Sequence, residues 1–192
     1  SALSELQAYA ARYVAILRDA GLEVPLDTDT VEFDIIERLP GDATTDFGAP
    51  SVVATVDNAL LTAAEFDRQR AALVACWRAL DRAAEAAVGR ALRKGPRGGG
   101  RDLDKILEHV RDAEQGYLRR IAGTFKADPA AAFQAEMQRT HQAVLDALDA
   151  GMAHGLPRQG PRGGAIWPLR YFLRRAGWHV TDHIREIEDR SS

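Results

Sequence analysis

From Thr62 onward the sequence repeats one pattern four times, a block of about 20 residues with its apolar side chains on a single helical stripe. The first block carries Phe66, Leu73, Trp77, Leu80 and Val88, and Thr62 with Glu65 three positions on is a capping-box signature at its start. The second follows a Gly-rich loop and carries Leu103, Ile106, Val110, Tyr117 and Ile121. The third opens at Asp128-Pro129, read as an N-cap and a first-turn proline, and carries Phe133, Met137, Val144, Leu148 and Met152. The fourth carries Leu169, Phe172, Ala176, Val180, Ile184 and Ile187. A helix with one apolar stripe is held mainly by burying it, and four such helices hide theirs against one another. The expected fold is therefore mainly α, a four-helix bundle over residues 60–192.

Residues 1–59 differ in texture and predict a small αββ extension packing on the bundle. Leu3, Leu6, Ala10, Tyr13 and Leu17 recur at helical spacing, with Gly21 as a stop. Val31, Phe33 and Ile35 alternate with acidic residues as a strand does, and Val52, Ala54 and Val56 suggest a second strand. Pro40-Gly41-Asp42 and Phe47-Gly48-Ala49-Pro50 between them are turn chemistry.

Composition narrows the function classes. The 192 residues are 46% hydrophobic and 28% charged with a net charge of −3, which suits a globular protein and not a nucleic-acid binder that relies on basic excess. No apolar run approaches the roughly 20 residues of a membrane span, and no signal-peptide pattern is visible. The single cysteine, Cys76, excludes an internal disulfide and lies beside Leu73 and Leu80, as packing rather than as a nucleophile. A cytoplasmic location is expected. The similar loops Gly95-Pro96-Arg97-Gly98-Gly99 and Gly160-Pro161-Arg162-Gly163-Gly164 read as solvated connections rather than phosphate or RNA cradles, since neither matches the phosphate-loop pattern.

The histidines carry the chemistry. His179 and His183 sit four apart in Trp178-His179-Val180-Thr181-Asp182-His183 and project from one helix face, flanked by Phe172, Ala176, Val180 and Ile187. His109 takes a similar edge between Ile106 and Val110. Burying one polar ring without a partner costs on the order of 1–3 kcal/mol, so inward rings on two helices call for a common partner. A divalent cation supplies it, and three imidazoles with a position left open is the arrangement of catalytic sites. Zinc suits it best, with nickel, iron and manganese also compatible. Val180 after His179 means that the glutamate of the zincin motif is absent.

A histidine within Glu108-His109-Val110-Arg111-Asp112-Ala113-Glu114 on the second bundle helix, followed by a His-x3-His pair within Gly177–His183 on the fourth, resembles the DinB-like superfamily of four-helix-bundle metalloproteins over about residues 60–190. The resemblance implies metal ligation by His109, His179 and His183. It also implies a hydrolase or a thiol-dependent transferase, since some members act on low-molecular-weight thiols, while many have no assigned activity. It further implies an up-down-down-up bundle. His109 lies about 13 residues before a helix end near Ala122, and the 179/183 pair about 14 after a helix start near Trp167, heights that agree within roughly 2 Å in that order. In up-down-up-down order the mismatch is about 9 Å. Against the family's order, the connection Gly123–Asp128 reaches only about 21 Å, so the third helix would have to start irregularly.

Helical spacing nominates neighbours for the site. Lys105 and Arg175, each one turn before a histidine, either present positive charge to an anionic small-molecule substrate or snorkel to solvent. Asp112 and Glu186, each three residues after a histidine, either orient an imidazole, act as a general base, or form surface ion pairs. His141, between Met137 and Val144, is a second-shell candidate or a core-edge residue, and His154 suits a helix C-terminus. The leading expectation is an enzyme that activates a water or a thiol. The alternative is a non-catalytic metal-binding bundle acting through a homodimer or partner, which an exposed apolar stripe on the first helix would favour.

Overall fold

The computed structural model describes residues 2–24, 32–94, 100–160 and 163–191. Among them are α1 (Ala2–Asp19), α2 (Ala63–Ala87), α3 (Leu103–Leu118), α4 (Phe133–His154) and α5 (Leu169–Ser191). Helices α2 to α5 are the four expected stripes. At the start of α2 the Glu65 carboxylate accepts from the Thr62 N–H at 2.9 Å while the Thr62 hydroxyl accepts from the Glu65 N–H at 3.3 Å, a reciprocal box. Asp102 caps α3 by accepting from the Lys105 N–H at 2.8 Å. Leu73, Leu80, Ile106, Val110, Val144, Leu148, Phe172, Val180 and Ile187 are buried in one core. Val88 has left its stripe, because α2 ends at Ala87, and is 72% exposed.

Side-chain pairings fix the helix directions. Glu65 meets Arg170 and Cys76 meets Thr181, so α2 and α5 run parallel. Arg111 covers Phe133 and Gln115 bonds Thr140, so α3 and α4 are parallel as well. Arg70 with Asp149 and Gln134 with Asp81 make α2 and α4 antiparallel. Trp167 with Arg120, and Arg190 with Arg101, make α3 and α5 antiparallel. The order is up-down-down-up.

That order needs a full-length crossover from α3 to α4, and a later start of α4 provides it. Asp128-Pro129 does not open the helix. Asp128 Oδ1 accepts from the Ala130 N–H at 3.0 Å and its carbonyl accepts from Ala131 at 3.1 Å, which makes a turn. Residues 122–132 therefore cross, and their reach of about 38 Å exceeds the roughly 24 Å length of α3. The buried Glu136 pins this strap, accepting from the Asp128 N–H at 3.0 Å and pairing with Arg139 at 2.5 Å.

The expected αββ extension is corrected. Its helix is present, ended by Gly21 at φ 74, with Leu22 N–H bonded to Leu17 O and Gly21 N–H to Arg18 O. No strand occurs among the described residues of 1–59, and Val31 lies outside them. Side chains take the backbone groups instead, α5 the carbonyls of 50–52, and Asp57 and Glu37 the N–H groups of Ala54 and Thr55. Tyr171 donates its hydroxyl to Pro50 O and Ser51 O at 3.1 and 2.9 Å, and Arg174 reaches Val52 O at 3.4 Å. Arg174 also grips the buried Asp57. Ile35, expected on a buried strand face, is 48% exposed. Helix α1 packs through Leu17 on Ala72 and Ala75, while Leu3, Leu6 and Tyr13 of its expected stripe stay 44%, 52% and 36% exposed. No helix among the described residues is long and apolar enough to cross a membrane. The Gly95–Gly99 loop and Pro161-Arg162 lie outside the described residues.

Candidate metal centre

The site forms where α3 runs antiparallel to α5. One helical turn separates His179 from His183, and their ring centres are 4.7 Å apart. From α3, His109 brings its ring to 5.2 Å from His179 and 5.0 Å from His183. The three offer ligand atoms that all lie within 4.8 Å of one another, and Nε2 of His109 is 3.3 Å from Nε2 of His179. Bonds of 2.0–2.1 Å in a tetrahedral site put neighbouring nitrogens about 3.4 Å apart, so this pair fits one edge of such a site. His179 and His183 are each 6% exposed, and His109 is half-buried.

The protonation states suit ligation. Burial, then the nearby His183 and His109, push the His179 pKa down to about 3. Burial, then Arg101 and His183, lower that of His109. Both rings are neutral near pH 7, with a lone pair available.

Glu186 is the carboxylate that orients a ring. Nδ1 of His183 is 2.9 Å from Glu186 Oε2, which leaves Nε2 as the imidazole's free nitrogen. The same contact holds the Glu186 carboxyl below its ordinary pKa. Arg190 donates to Glu186 Oε1 at 2.6 Å and is itself anchored to Arg93 O and Arg101 O at 2.8 and 2.6 Å. Gly100, at φ 143, permits this approach, because a Cβ there would stand 2.6 Å from Arg190 Nη2. Sequence reasoning missed Arg190, although its i, i+4 spacing from Glu186 was a usable signal. His179 has no such partner. Its Nδ1 is buried without a hydrogen bond among the described residues, and the ring meets Tyr117 edge-on at 5.6 Å.

The remaining candidates separate from the cluster. Asp112 accepts from Arg111 at 2.8 Å on the surface, with its side chain 64% exposed. Lys105 pairs with Glu108 at 2.5 Å and is 62% exposed, the solvent-facing alternative. Arg175 stays near the histidines, its guanidinium 5.7 Å from the Tyr117 ring centre and 4.9 Å from that of Trp178. Arg101, passed over in the sequence because it precedes α3, lowers the pKa of both His109 and His179.

His141, the second-shell or core-edge candidate, lies against α2 and α3. It stacks on Trp77 at 4.0 Å with its Nε2 3.1 Å from Glu114 Oε2, off the line of a good hydrogen bond. Trp77 donates to the other oxygen of Glu114 at 2.5 Å. Glu114 follows His109 by five residues, which turns it about 140° around α3, so His141 serves a different face. Cys76 is buried 3.7 Å from the Thr181 hydroxyl, and burial raises its thiol pKa to about 11, as packing requires. His154 is the last residue of α4, as expected.

A family model described as the DinB superfamily matches residues 72–187, from within α2 to within α5. No curated protein and no solved structure gives a significant match.

Proposed function

The chain belongs to the DinB superfamily, and from that premise we propose that it is a metal-dependent enzyme whose His109, His179 and His183 hold one divalent ion beside a small-molecule substrate. The observation that carries this reading is the convergence of three imidazoles, one of them oriented by a carboxylate, with no carboxylate of the described residues among the converging ligand atoms. Zinc is the best-suited ion, with nickel, iron and manganese also compatible. When bound, the ion supplies Lewis-acid charge that acidifies a water or a low-molecular-weight thiol, which gives a hydrolase or a thiol S-transferase. Glu186 keeps the His183 proton on Nδ1, and Arg190 keeps Glu186 in place. The Tyr117 ring packs edge-on against that of His179.

The test is metal analysis of protein purified without an affinity tag. About one ion per chain is expected in the wild type and far less in His183→Ala, with the fold retained. Absence of metal from the wild type, together with unchanged stability in the variant, overturns the reading.

A second reading, a bundle acting through a partner or a second copy, is favoured by one observation. The exposed Leu3, Leu6 and Tyr13 continue into an apolar groove between α1 and α5 lined by Tyr9, Leu173 and Trp178. Sedimentation equilibrium tests it. A dimer that Leu6→Asp dissociates supports it, and a monomeric wild type with no captured partner removes it.

A further inference from the structure

Helix α5 carries arginines at 170, 174, 175, 185 and 190, and four of them have a carboxylate partner: Glu65, Asp57, Asp189 and Glu186 in turn. Arg175 has none among the described residues, and it is the one beside the histidine cluster. The rings of Tyr117 and Trp178 flank its guanidinium. Those rings satisfy the flat faces of a guanidinium, whose N–H donors all lie in its plane and point outward from its edge. The guanidinium also donates to the Tyr117 hydroxyl, while Nη1 is buried and makes no hydrogen bond among the described residues. A cationic donor that has shed water without gaining an acceptor is costly, and a carboxylate or phosphate oxygen is its natural complement.

The surroundings agree in sign. Tyr117 touches both Arg175 and His179 and so links the guanidinium to the metal centre. Arg101 adds a second positive charge beside His109 and His179, and the two carboxylates that act on His109 are already committed, Glu186 to His183 and Arg190, and Asp112 to Arg111. Lys105 is spent on Glu108 at the surface.

We propose that Arg175 is the anion-recognition residue of this site, so that the substrate is an acid whose carboxylate or phosphate group docks on the Arg175 edge while its reacting group faces the three histidines. The proposal rests on the metal-enzyme reading for the reacting group but not for the anion contact, and the test separates them. Succinate, its neutral counterpart succinamide and inorganic phosphate are titrated by calorimetry into zinc-loaded and chelator-treated protein, as wild type, Arg175→Gln and Arg175→Lys. Succinate or phosphate should bind the zinc-loaded wild type at least tenfold tighter than succinamide, and whichever of the two binds tighter identifies the docking group. Arg175→Gln should weaken that anion tenfold or more while retaining the wild-type metal content. Arg175→Lys, which keeps charge but loses the fork, should weaken it threefold or more, and it carries the test if the glutamine variant fails to fold. Anion affinity within twofold of wild type in the folded variants overturns the proposal, as does equal affinity for succinate and succinamide with no phosphate binding. A wild type that takes up no zinc yet binds the anion through Arg175 overturns the metal reading and leaves the anion site standing.

Discussion

Two places in this bundle gather histidine and glutamate from neighbouring helices, and they do opposite things with them. In the centre, one oxygen of Glu114 on α3 accepts from the Trp77 indole and the other lies 3.1 Å from Nε2 of His141, which stacks on the same indole. The carboxylate there lies among the groups that face it, and the knot ties α2, α3 and α4 together. Between α3 and α5, Glu186 takes the outer nitrogen of His183, and three imidazoles face one another with no acid between them. A closed set stabilises a fold, whereas an open set of donors calls for a guest. The number of polar residues is similar at the two places. The position of the carboxylate, among the rings or behind them, separates a structural knot from a candidate centre.

The contrast breaks first at Glu114. Glu114→Ala leaves a buried indole N–H without its acceptor and His141 without its neighbouring carboxylate, and should cost about 3 kcal/mol or more in urea unfolding while metal content is unchanged. Loss below about 1 kcal/mol, or loss of metal, would merge the two regions into one. Next comes pH. The unfolded chain binds a proton at His179 below about 6.5, and the metal-free fold refuses it until about 3. Stability of the metal-free protein should therefore fall as pH drops through that window, by an amount on the order of a few kcal/mol, and this residue contributes no slope above it. Glu186, whose carboxyl pKa is lowered in the fold, adds a loss of the same sign at the acid end. A flat stability profile between pH 6.5 and 4 in chelator-treated protein would show that His179 is not buried neutral.

Glu186→Gln sharpens the comparison further. Metal affinity should drop about 10- to 100-fold, with a stability change near 1 kcal/mol at most, the reverse of the Glu114 result. Asp112→Asn is the smallest effect. It should stay within about 0.5 kcal/mol in stability and leave metal affinity within about twofold, because its partner is an exposed arginine. A large loss of metal in that variant would return Asp112 to the site.

The four stripes were legible because burial on one helix face is written into local spacing. The His-x3-His pair and Glu186 three residues on were legible for the same reason. Asp128-Pro129 misled because an aspartate before a proline serves a helix cap and a β-turn equally well, and only the distance that the crossover must span decides between them. Val52 to Val56 alternates like a strand, but a strand needs a partner, and here Arg174 takes the Val52 carbonyl while Thr55–Asn58 turns into a 3-10 helix. His141 lies on an apolar stripe as the three clustered histidines do, and only the rotation of Glu114 around α3 separates them. Arg101 and Gly100 reach the site from the loop before α3, where local periodicity carries no information about tertiary placement.

The central claim is most directly tested by anomalous diffraction from crystals grown with zinc, collected at the zinc edge. The account predicts one strong peak within about 2.0–2.1 Å of a nitrogen on each of His109, His179 and His183. A peak at any other residues, or rings at 109, 179 and 183 splayed too far to share an ion, would contradict it.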